Sequence, residues 1–286
     1  MGLFEDFVSK IQSNKDLSDH EKTKVLKNLN SLKEEKVHVL ITGASSGIGK
    51  AIAYAFAENG DNLVITGRRF DKLEEIKHDI EKQFHVQVSI YSFDITNMEQ
   101  TIINCQKIIE EVGQIHILVN NAGLALGLDK FQDYDLTDMM TMIDTNIKGL
   151  LTVTRQLLPQ MVENNEGHII NIGSTAGIYA YAGAAVYAAT KSAVKVLSDG
   201  IRIDTIDKNI KVTTLQPGIV ETDFSQVRFH GDKERAATVY QGIDALQASD
   251  IAQCTLFVAN QPAHVQISDM TIMATKQATG FTIHRE

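Results

Sequence analysis

Residues 37–49 read Val37-His-Val-Leu-Ile-Thr-Gly-Ala-Ser-Ser-Gly-Ile-Gly49. A β-branched, apolar run (VHVLIT, 37–42) passes without a linker into glycines at 43, 47 and 49, and a helical stretch opens at 47 and continues to 59. Strand, tight glycine turn and helix follow one another in the order that lets backbone approach a pyrophosphate and leaves the phosphate at a helix N-terminus. The spacing is G-x3-G-x-G rather than the commoner G-x-G-x-x-G, but the physics is shared. A glycine-rich turn with no ligand would look the same in isolation. Its position between strand and helix makes Gly43, Ser45, Ser46, Gly47, Ile48 and Gly49 candidates for holding a dinucleotide.

Working outward, short apolar runs alternate with longer helical stretches. Strands are expected at 37–42, 62–66, 86–93, 116–121, 168–173, 211–216 and 265–273. Helices are expected near 47–59, 70–84, 97–112, 134–163, 185–207 and 249–260. The strands are near-continuous apolar runs, as in sheets covered on both faces. This rhythm predicts an α/β fold, a doubly wound and mostly parallel seven-stranded sheet with helices on both faces, and ligands beyond the carboxyl ends of the strands.

Residues 1–36 stand outside that rhythm. Phe4, Phe7, Val8 and Ile11 recur at helical spacing, and Ser18-Asp-His-Glu21 reads as a capping box before Val25, Leu26, Leu29 and Leu32. The expected organisation is an N-terminal helical extension over 1–36 and a single domain over 37–286.

Composition narrows the function. A net charge of −9 over 286 residues leaves no electrostatic footprint for nucleic acid or acidic lipid, so small molecules or further copies of the chain are the expected partners. No apolar run is long enough to span a bilayer, and MGLFEDFVSK lacks the pattern of a secretory signal. Cys105 and Cys254 are far apart and form no CxxC, which fits a reducing, cytoplasmic setting. The nine histidines form neither HExxH nor a ligand cluster, and no metal is expected.

The second expected strand ends in Thr66-Gly-Arg68-Arg69, where NAD-binding sheets carry an acidic residue for the ribose hydroxyls. Guanidinium forks bind a 2′-phosphate that a carboxylate would repel, so Arg68 and Arg69 point to NADP(H), with Ser45 as a further phosphate ligand. The alternative is a solvated helix start.

Taken together, TGASSGIG (42–49), FDIT (93–96), NNAG (120–123), Asn146 in DTNIKG, Ser174 in INIGSTAG, YAATK (187–191) and QPGIVET (216–222) resemble the short-chain dehydrogenase/reductase family over roughly 37–286. The resemblance implies a Rossmann-type sheet. It implies that Asp94 and Ile95 cap the adenine, and that Asn120, Ala122 and Gly123 line the adenosine ribose. Pro217, Gly218 and Val220 would hold the nicotinamide, and Thr222 would reach the phosphates. Asn146 would hold a water that links Lys191 to solvent.

Chemistry gives an independent reason for Tyr187 and Lys191. A hydride leaves a secondary alcohol only as the hydroxyl proton leaves in step, so a base must stand at the cofactor face. Bringing a phenol from about 10 to about 7 needs roughly 4 kcal/mol. One ammonium at ~4 Å supplies about that much at an effective dielectric near 20. Tyr187 and Lys191 share a helical face, whereas the rivals Tyr179 and Tyr181 have Gly183 and Ala185 four residues on. Ser174 would hydrogen-bond the substrate oxygen.

Further stretches are similar to one NADP-dependent branch of the family, the 3-hydroxy acid dehydrogenases, which act on serine, allo-threonine, 3-hydroxyisobutyrate or 3-hydroxypropionate. These are NNAGLALG (120–127), IGSTAGIYAYAG (172–183), FSQVRFHGD (224–232), QPAHVQI (261–267) and GFTIHRE (280–286). A carboxylate substrate calls for a cation. Arg228 is either that cation or the holder of a salt bridge to Asp223 or Asp232. Tyr181 and Gly183 are expected to shape the substrate wall. Two other readings share these residues: a broad carbonyl reductase, and a non-catalytic NADP-binding sensor or scaffold, which would be expected to lack the tyrosine or lysine. The stretches 134–163 and 185–207 resemble those through which the family assembles, implying a homo-oligomer, a tetramer before a dimer.

Overall fold

In the computed structural model, residues 11, 17–18, 21–23 and 36–286 are described. Chain contacts divide the molecule into two units, Met1–Lys36 and Val37–Glu286. In the first unit the Ser18–Glu21 capping box is formed. The Ser18 amide donates to the Glu21 carboxylate at 3.0 Å, and the Glu21 amide donates to Ser18 Oγ at 3.3 Å. The two expected helices of the extension otherwise lie outside the described residues.

In the second unit, period-2 alternation decides which face each strand residue covers. On β1 (His38–Ile41), Val39 and Ile41 enter one apolar core while Leu40 enters the other. On β2 (Asn62–Gly67), Leu63 and Ile65 face the first core and Val64 the second. All six side chains are buried, so this part of the sheet is covered on both faces. The first core is filled by α1 (Gly47–Asn59) through Ile52 and Phe56, and by α2 (Phe70–Gln83) through Leu73, Ile76 and Ile80. The second is filled by α3 (Met98–Val112) through Cys105 and Ile108. Burying each such side chain contributes about 1.5–3 kcal/mol.

The remaining strands are β3 (Val88–Ser92), β4 (Ile117–Asn120), β5 (Gly167–Ile172), β6 (Ile210–Pro217) and, after the two-residue β7 (Val220–Glu221) and β8 (Leu246–Gln247), β9 (Asp269–Ile272). The seven-stranded sheet runs β3-β2-β1-β4-β5-β6-β9, every pair parallel. Strand order therefore reverses between β1 and β4, and the crevice at that switch point lies beyond the strands' carboxyl ends. The expected seven-stranded, doubly wound sheet is observed.

Local differences have physical causes. The single helix expected over 134–163 is three pieces: α4 (Leu136–Ile143), a π turn (Asp144–Gly149) and α5 (Leu150–Asn164). Apolar periodicity continues through the turn, so the wider backbone leaves no trace in the pattern. Helix α6 (Ala185–Asp204) ends three residues before 207. The last strand, expected over 265–273, is only four residues, because Val265 closes a turn onto Pro262 O at 2.8 Å. The segment after β7 folds into α7 (Phe224–Arg228) and α8 (Lys233–Thr238), too short to carry a periodic signal, before α9 (Ala248–Ala259).

Candidate active site

The glycine turn brings backbone close to the mouth of the sheet. Gly43 has φ +66°, and a Cβ there would meet Ala122 Cα at 2.8 Å. Gly49 sits below the turn, where a Cβ would meet Asn121 Nδ2 at 2.4 Å and Gly43 O at 2.5 Å. Each glycine is required by space, and Gly43 also by conformation. Asn121 stitches the turn to β4 by donating Nδ2 to Thr42 O at 2.9 Å and to Gly43 O at 3.2 Å.

A cleft of about 440 Å³ opens above this turn. Its walls include Gly43, Ser45, Ser46, Gly47 and Ile48 from the turn, and Arg68 and Arg69 from the end of β2. Asp94, Ile95, Ala122 and Gly123 follow along the strand ends. Pro217, Gly218, Val220 and Thr222 line the far wall, with Ser174, Tyr181, Tyr187, Lys191 and Arg228 around its deep end. Twenty of the residues singled out from sequence thus surround one cavity.

Four of them do not line it. Asn120, assigned to the ribose, is buried beneath the mouth and donates Nδ2 to Thr154 Oγ1 at 2.9 Å and to Asn171 Oδ1 at 2.8 Å. The neighbouring Asn121 lines the cleft instead. Asparagines 120 and 121 alternate faces at a strand end, and it is Asn121 that faces the cleft. Gly49 acts through packing rather than contact. Gly183, at φ +77°, accommodates the Leu128 backbone, 2.8 Å from where its Cβ would stand, and does not line the cleft. Asn146 is buried in the π turn. Its Nδ2 donates to Leu124 O at 2.8 Å and Thr190 Oγ1 at 3.1 Å, and its Oδ1 accepts from Leu124 N at 2.9 Å. Both amide hydrogens are thereby committed, and a water linked to Lys191 would have only the spare lone pair of Oδ1 on this side chain.

The residues fit a dinucleotide carrying a 2′-phosphate. Backbone without side chains lies at the helix N-terminus, and no acid ends β2. Arg69 Nη2 donates to Ser45 Oγ at 2.9 Å and Ser46 Oγ at 2.7 Å, gathering two hydroxyls and a guanidinium at one rim. Arg68 is exposed and lies 3.9 Å from Asp94, a loose pair that leaves its donors accessible.

At the deep end, Ser174 Oγ accepts from Ala176 N at 3.1 Å, and its hydroxyl acts on the Tyr187 phenol in the direction that lowers it. Lys191 is buried one turn along α6 and donates Nζ to Ile172 O at 2.8 Å. Desolvation brings its ammonium down to about 8. A Cβ on Gly123 would stand 3.2 Å from Asn146 Oδ1 and 3.4 Å from Lys191 Nζ, so these three groups converge. Tyr187 departs from expectation. Burial pushes its phenol up to about 12, and the strongest opposing influence is the Arg228 guanidinium, ahead of the Ser174 hydrogen bond.

Arg228 has no carboxylate partner among the described residues. Asp232 instead caps α8 by accepting from Arg235 N at 3.0 Å, and the expected alternative of a salt bridge to Asp223 or Asp232 is not what holds this loop. The guanidinium lies 5.1 Å from the Tyr187 ring centre and 5.3 Å from that of Phe224, and Nη2 donates to Tyr181 OH at 3.1 Å. Its Nε is buried without a partner.

Sequence reasoning missed Gln277, which sits far along the chain from any motif. Its Oε1 accepts from Ile219 N at 3.0 Å and its Nε2 donates to Thr279 O at 3.0 Å, tying the C-terminal segment to the far wall. Tyr240 also lines the cleft and shares a hydrogen bond with Ser225 Oγ at 2.7 Å. Among the described residues no helix is long and apolar enough to cross a membrane, and no group of His, Cys, Asp and Glu could hold a metal ion.

A parallel sheet with this strand order, a glycine turn over α1, and a serine, tyrosine and lysine at one cleft define a dinucleotide-dependent oxidoreductase. The chain belongs to the short chain dehydrogenase family, whose model matches residues 37–233. It is 39% identical over 249 residues to an NADP-dependent 3-hydroxy acid dehydrogenase of Schizosaccharomyces pombe, covering 87% of this chain and 96% of the relative. It is 43% identical to an NADP-dependent 3-hydroxy acid dehydrogenase of Salmonella typhi, covering 86% of this chain and 99% of the relative. A closed form of serine dehydrogenase complexed with NADP+ superposes with a TM-score of 0.82 at 41% identity, covering 87% of this chain and all of the other.

Proposed function

We propose that the protein is an NADP-dependent dehydrogenase of short 3-hydroxy acids, working in reverse as a reductase of the matching semialdehydes. The observation that carries this reading is Arg228, a guanidinium with a buried, unpartnered Nε beside the phenol of Tyr187. A buried guanidinium nitrogen without a partner is costly, and a substrate carboxylate is the partner that relieves it. The names of the relatives support the same substrate class.

The reading assigns roles to this chain's residues. Arg228 binds the substrate carboxylate, and Tyr181 orients the guanidinium. Ser174 bonds the substrate oxygen and stabilises the charge that builds there. Tyr187 takes the hydroxyl proton as the C–H bond breaks. Lys191 and Asn146 hold the proton path behind it. The oxidised nicotinamide, when bound, supplies the acceptor for the hydride. Arg68, Arg69, Ser45 and Ser46 hold the 2′-phosphate, and Thr222 reaches the phosphates from the far wall. Asp94 and Ile95 cap the adenine, while Pro217, Gly218 and Val220 hold the nicotinamide.

Turnover tests it. Purified protein should oxidise 3-hydroxypropionate, 3-hydroxyisobutyrate or serine with NADP and reduce a semialdehyde with NADPH. No turnover in either direction, or equal efficiency on neutral ketones, sinks the substrate assignment.

The same reading has the extension over 1–36 as a separate helical unit and 37–286 as one catalytic domain. It places the enzyme in the cytoplasm, in line with the buried free thiol of Cys105. It also has the enzyme acting as a homo-oligomer, a tetramer before a dimer. Exposed apolar side chains support assembly: Leu136 and Met140 on α4, Leu151 on α5, and Val196 and Ile203 on α6. Light scattering of the purified protein reads the assembly directly, and a monomer ends that part of the proposal.

A further inference from the structure

We infer that the loop of residues 124–134 sets the length of acid the enzyme accepts: one peptide unit in it, Leu126–Gly127, is gripped by Tyr134 at one end and fixes Arg228 at the other. Selection by length rests on Arg228 binding the substrate carboxylate, as proposed above. The placing of Arg228 by this loop does not.

Arg228 needs an anchor outside its own helix. It is the last residue of α7, which is five residues long. So short a helix does not hold its shape alone, and its last carbonyls find no partners within it. The Arg228 carbonyl accepts from Gly127 N at 2.8 Å. At the other end of the same peptide unit, the Leu126 carbonyl accepts from the Tyr134 hydroxyl. A peptide unit is planar and stiff, so pinning the Leu126 oxygen aims the Gly127 N–H. Two hydrogen bonds that share one amide also strengthen each other by polarisation.

Glycine is required at this joint. Gly127 has φ +68°, and a Cβ there would meet Asp129 Oδ2 and Tyr134 Cε1, each at 3.2 Å. The loop is rooted at its start by Asn146, whose side chain bonds both Leu124 N at 2.9 Å and Leu124 O at 2.8 Å. One residue beyond the joint, the Leu128 backbone fills the space that Gly183 leaves open. Gly183 lies in the turn closed by Ala184 N on Tyr181 O at 3.1 Å, and Tyr181 is the hydroxyl that receives Arg228 Nη2. The loop therefore packs against the segment that orients the guanidinium as well as holding the main chain that carries it. The pair of His230 and Asp138, at 2.9 Å, crosses the same seam, but His230 is exposed and the pair contributes less.

Ser174 follows β5, Tyr187 and Lys191 stand on α6, and Arg228 stands on α7. The span from the phenol to the guanidinium is therefore set by the ties between separate elements, and the Leu126–Gly127 peptide is the tie made to the Arg228 main chain. An acid whose hydroxyl lies one carbon nearer to its carboxylate, or one farther, cannot meet both groups at once. Loosening the peptide lets Arg228 follow the carboxylate, so acids of different length are told apart less well.

The test uses the full chain, its Tyr134→Phe and Gly127→Ala variants, and Arg228→Met as the reference. Three secondary alcohols are compared with NADP: 3-hydroxybutyrate, its methyl ester and 4-hydroxypentanoate. Tyr134→Phe, which removes one hydroxyl, should raise KM for 3-hydroxybutyrate by about three- to tenfold, with kcat held and the ester unaffected. Gly127→Ala should raise it by about tenfold to a hundredfold. In both variants the preference for 3-hydroxybutyrate over 4-hydroxypentanoate should fall. A readout without substrate is deuterium exchange followed by mass spectrometry, in which the amides of 224–231 should exchange about tenfold faster in both variants. Equal losses on acid and ester would mean general damage and overturn the inference, as would an unmoved KM for the acid while Arg228→Met raises it. The two readings fail separately. If Arg228→Met leaves KM for the acid unchanged, the substrate class falls and selection by length falls with it, and exchange alone then decides whether the loop places Arg228: faster exchange upholds it, and unmoved exchange ends it.

Discussion

The two halves of the cleft are made of different material. At the phosphate end the surface is largely main chain, and Gly43 and Gly49 sit where an added Cβ would strike Ala122, Asn121 and the turn's own carbonyl. At the deep end the surface is side chain upon side chain, with Tyr181, Tyr187 and Phe224 arranged around one guanidinium. A site built of backbone fails when a single carbon is added. A site built of stacked side chains fails when a charge is removed while the volume is kept.

Deleting one oxygen is the largest perturbation expected. Tyr187→Phe retains the ring in its stack and should lower kcat by about a hundredfold to ten-thousandfold, with cofactor affinity little changed. Turnover near the wild-type rate would remove the phenol from the mechanism. At the other end, Gly43→Ala should cost about 1–3 kcal/mol from the left-handed backbone alone. The clash with Ala122 adds to this, and calorimetry should register a lower Tm together with weaker dinucleotide binding. A variant as stable and as tightly bound as the wild type would dissolve the contrast between the halves.

Smaller effects sharpen it. Arg68→Ala should weaken NADP by about tenfold to a hundredfold in a fluorescence titration and leave NAD unaffected, since only the phosphate-bearing form meets the guanidinium. Equal losses for both cofactors would make the rim a non-specific one.

A control lies outside both halves. His168 on β5 is buried, and burial takes its imidazole from 6.5 down to about 3. Thr213 gives its own hydrogen to Ile267 O at 2.7 Å, so His168 Nε2 must be the donor in the 2.8 Å bond between them, leaving Nδ1 without a partner. Between these two values the unfolded chain binds the extra proton and the folded one does not, so stability falls as pH drops below 6.5. The slope is about 1.4 kcal/mol per pH unit. Acid unfolding of His168→Gln should lack that component, and an unchanged slope would assign it elsewhere. Least of all, His230→Ala frees the segment after α7 from Asp138 and should raise KM for the acid by about two- to fivefold with kcat held. An equal fall in kcat would mean that the pair bears on the chemistry rather than on the loop.

The same contrast explains what was legible in the sequence. Seven strands and the turn between β1 and α1 could be read because apolar alternation and glycine spacing are local signals. Ser174, Tyr187 and Lys191 could be placed because their chemistry demands a shared cleft. What escaped were features settled by the third dimension. Asn120 and Asn121 differ only in which side of a strand end they face. The orientation of Lys191 toward Ile172 O, and of Arg228 toward the Tyr187 ring, depends on rotamers that no spacing reveals. Gln277 joins the wall from far along the chain by a bond to Ile219.

The π turn at Asp144–Gly149 has its own consequence. It carries one more residue than an ordinary helical turn would and takes up the roughly 100° that this residue would otherwise add, so the helices on either side stay in phase. Closing it into a regular α turn with all six residues kept would rotate every apolar residue downstream by roughly 100°, off the sheet. The irregularity that seats Asn146 against Leu124 and Thr190 is thereby also what keeps Val153, Leu157 and Met161 pointing into the second core.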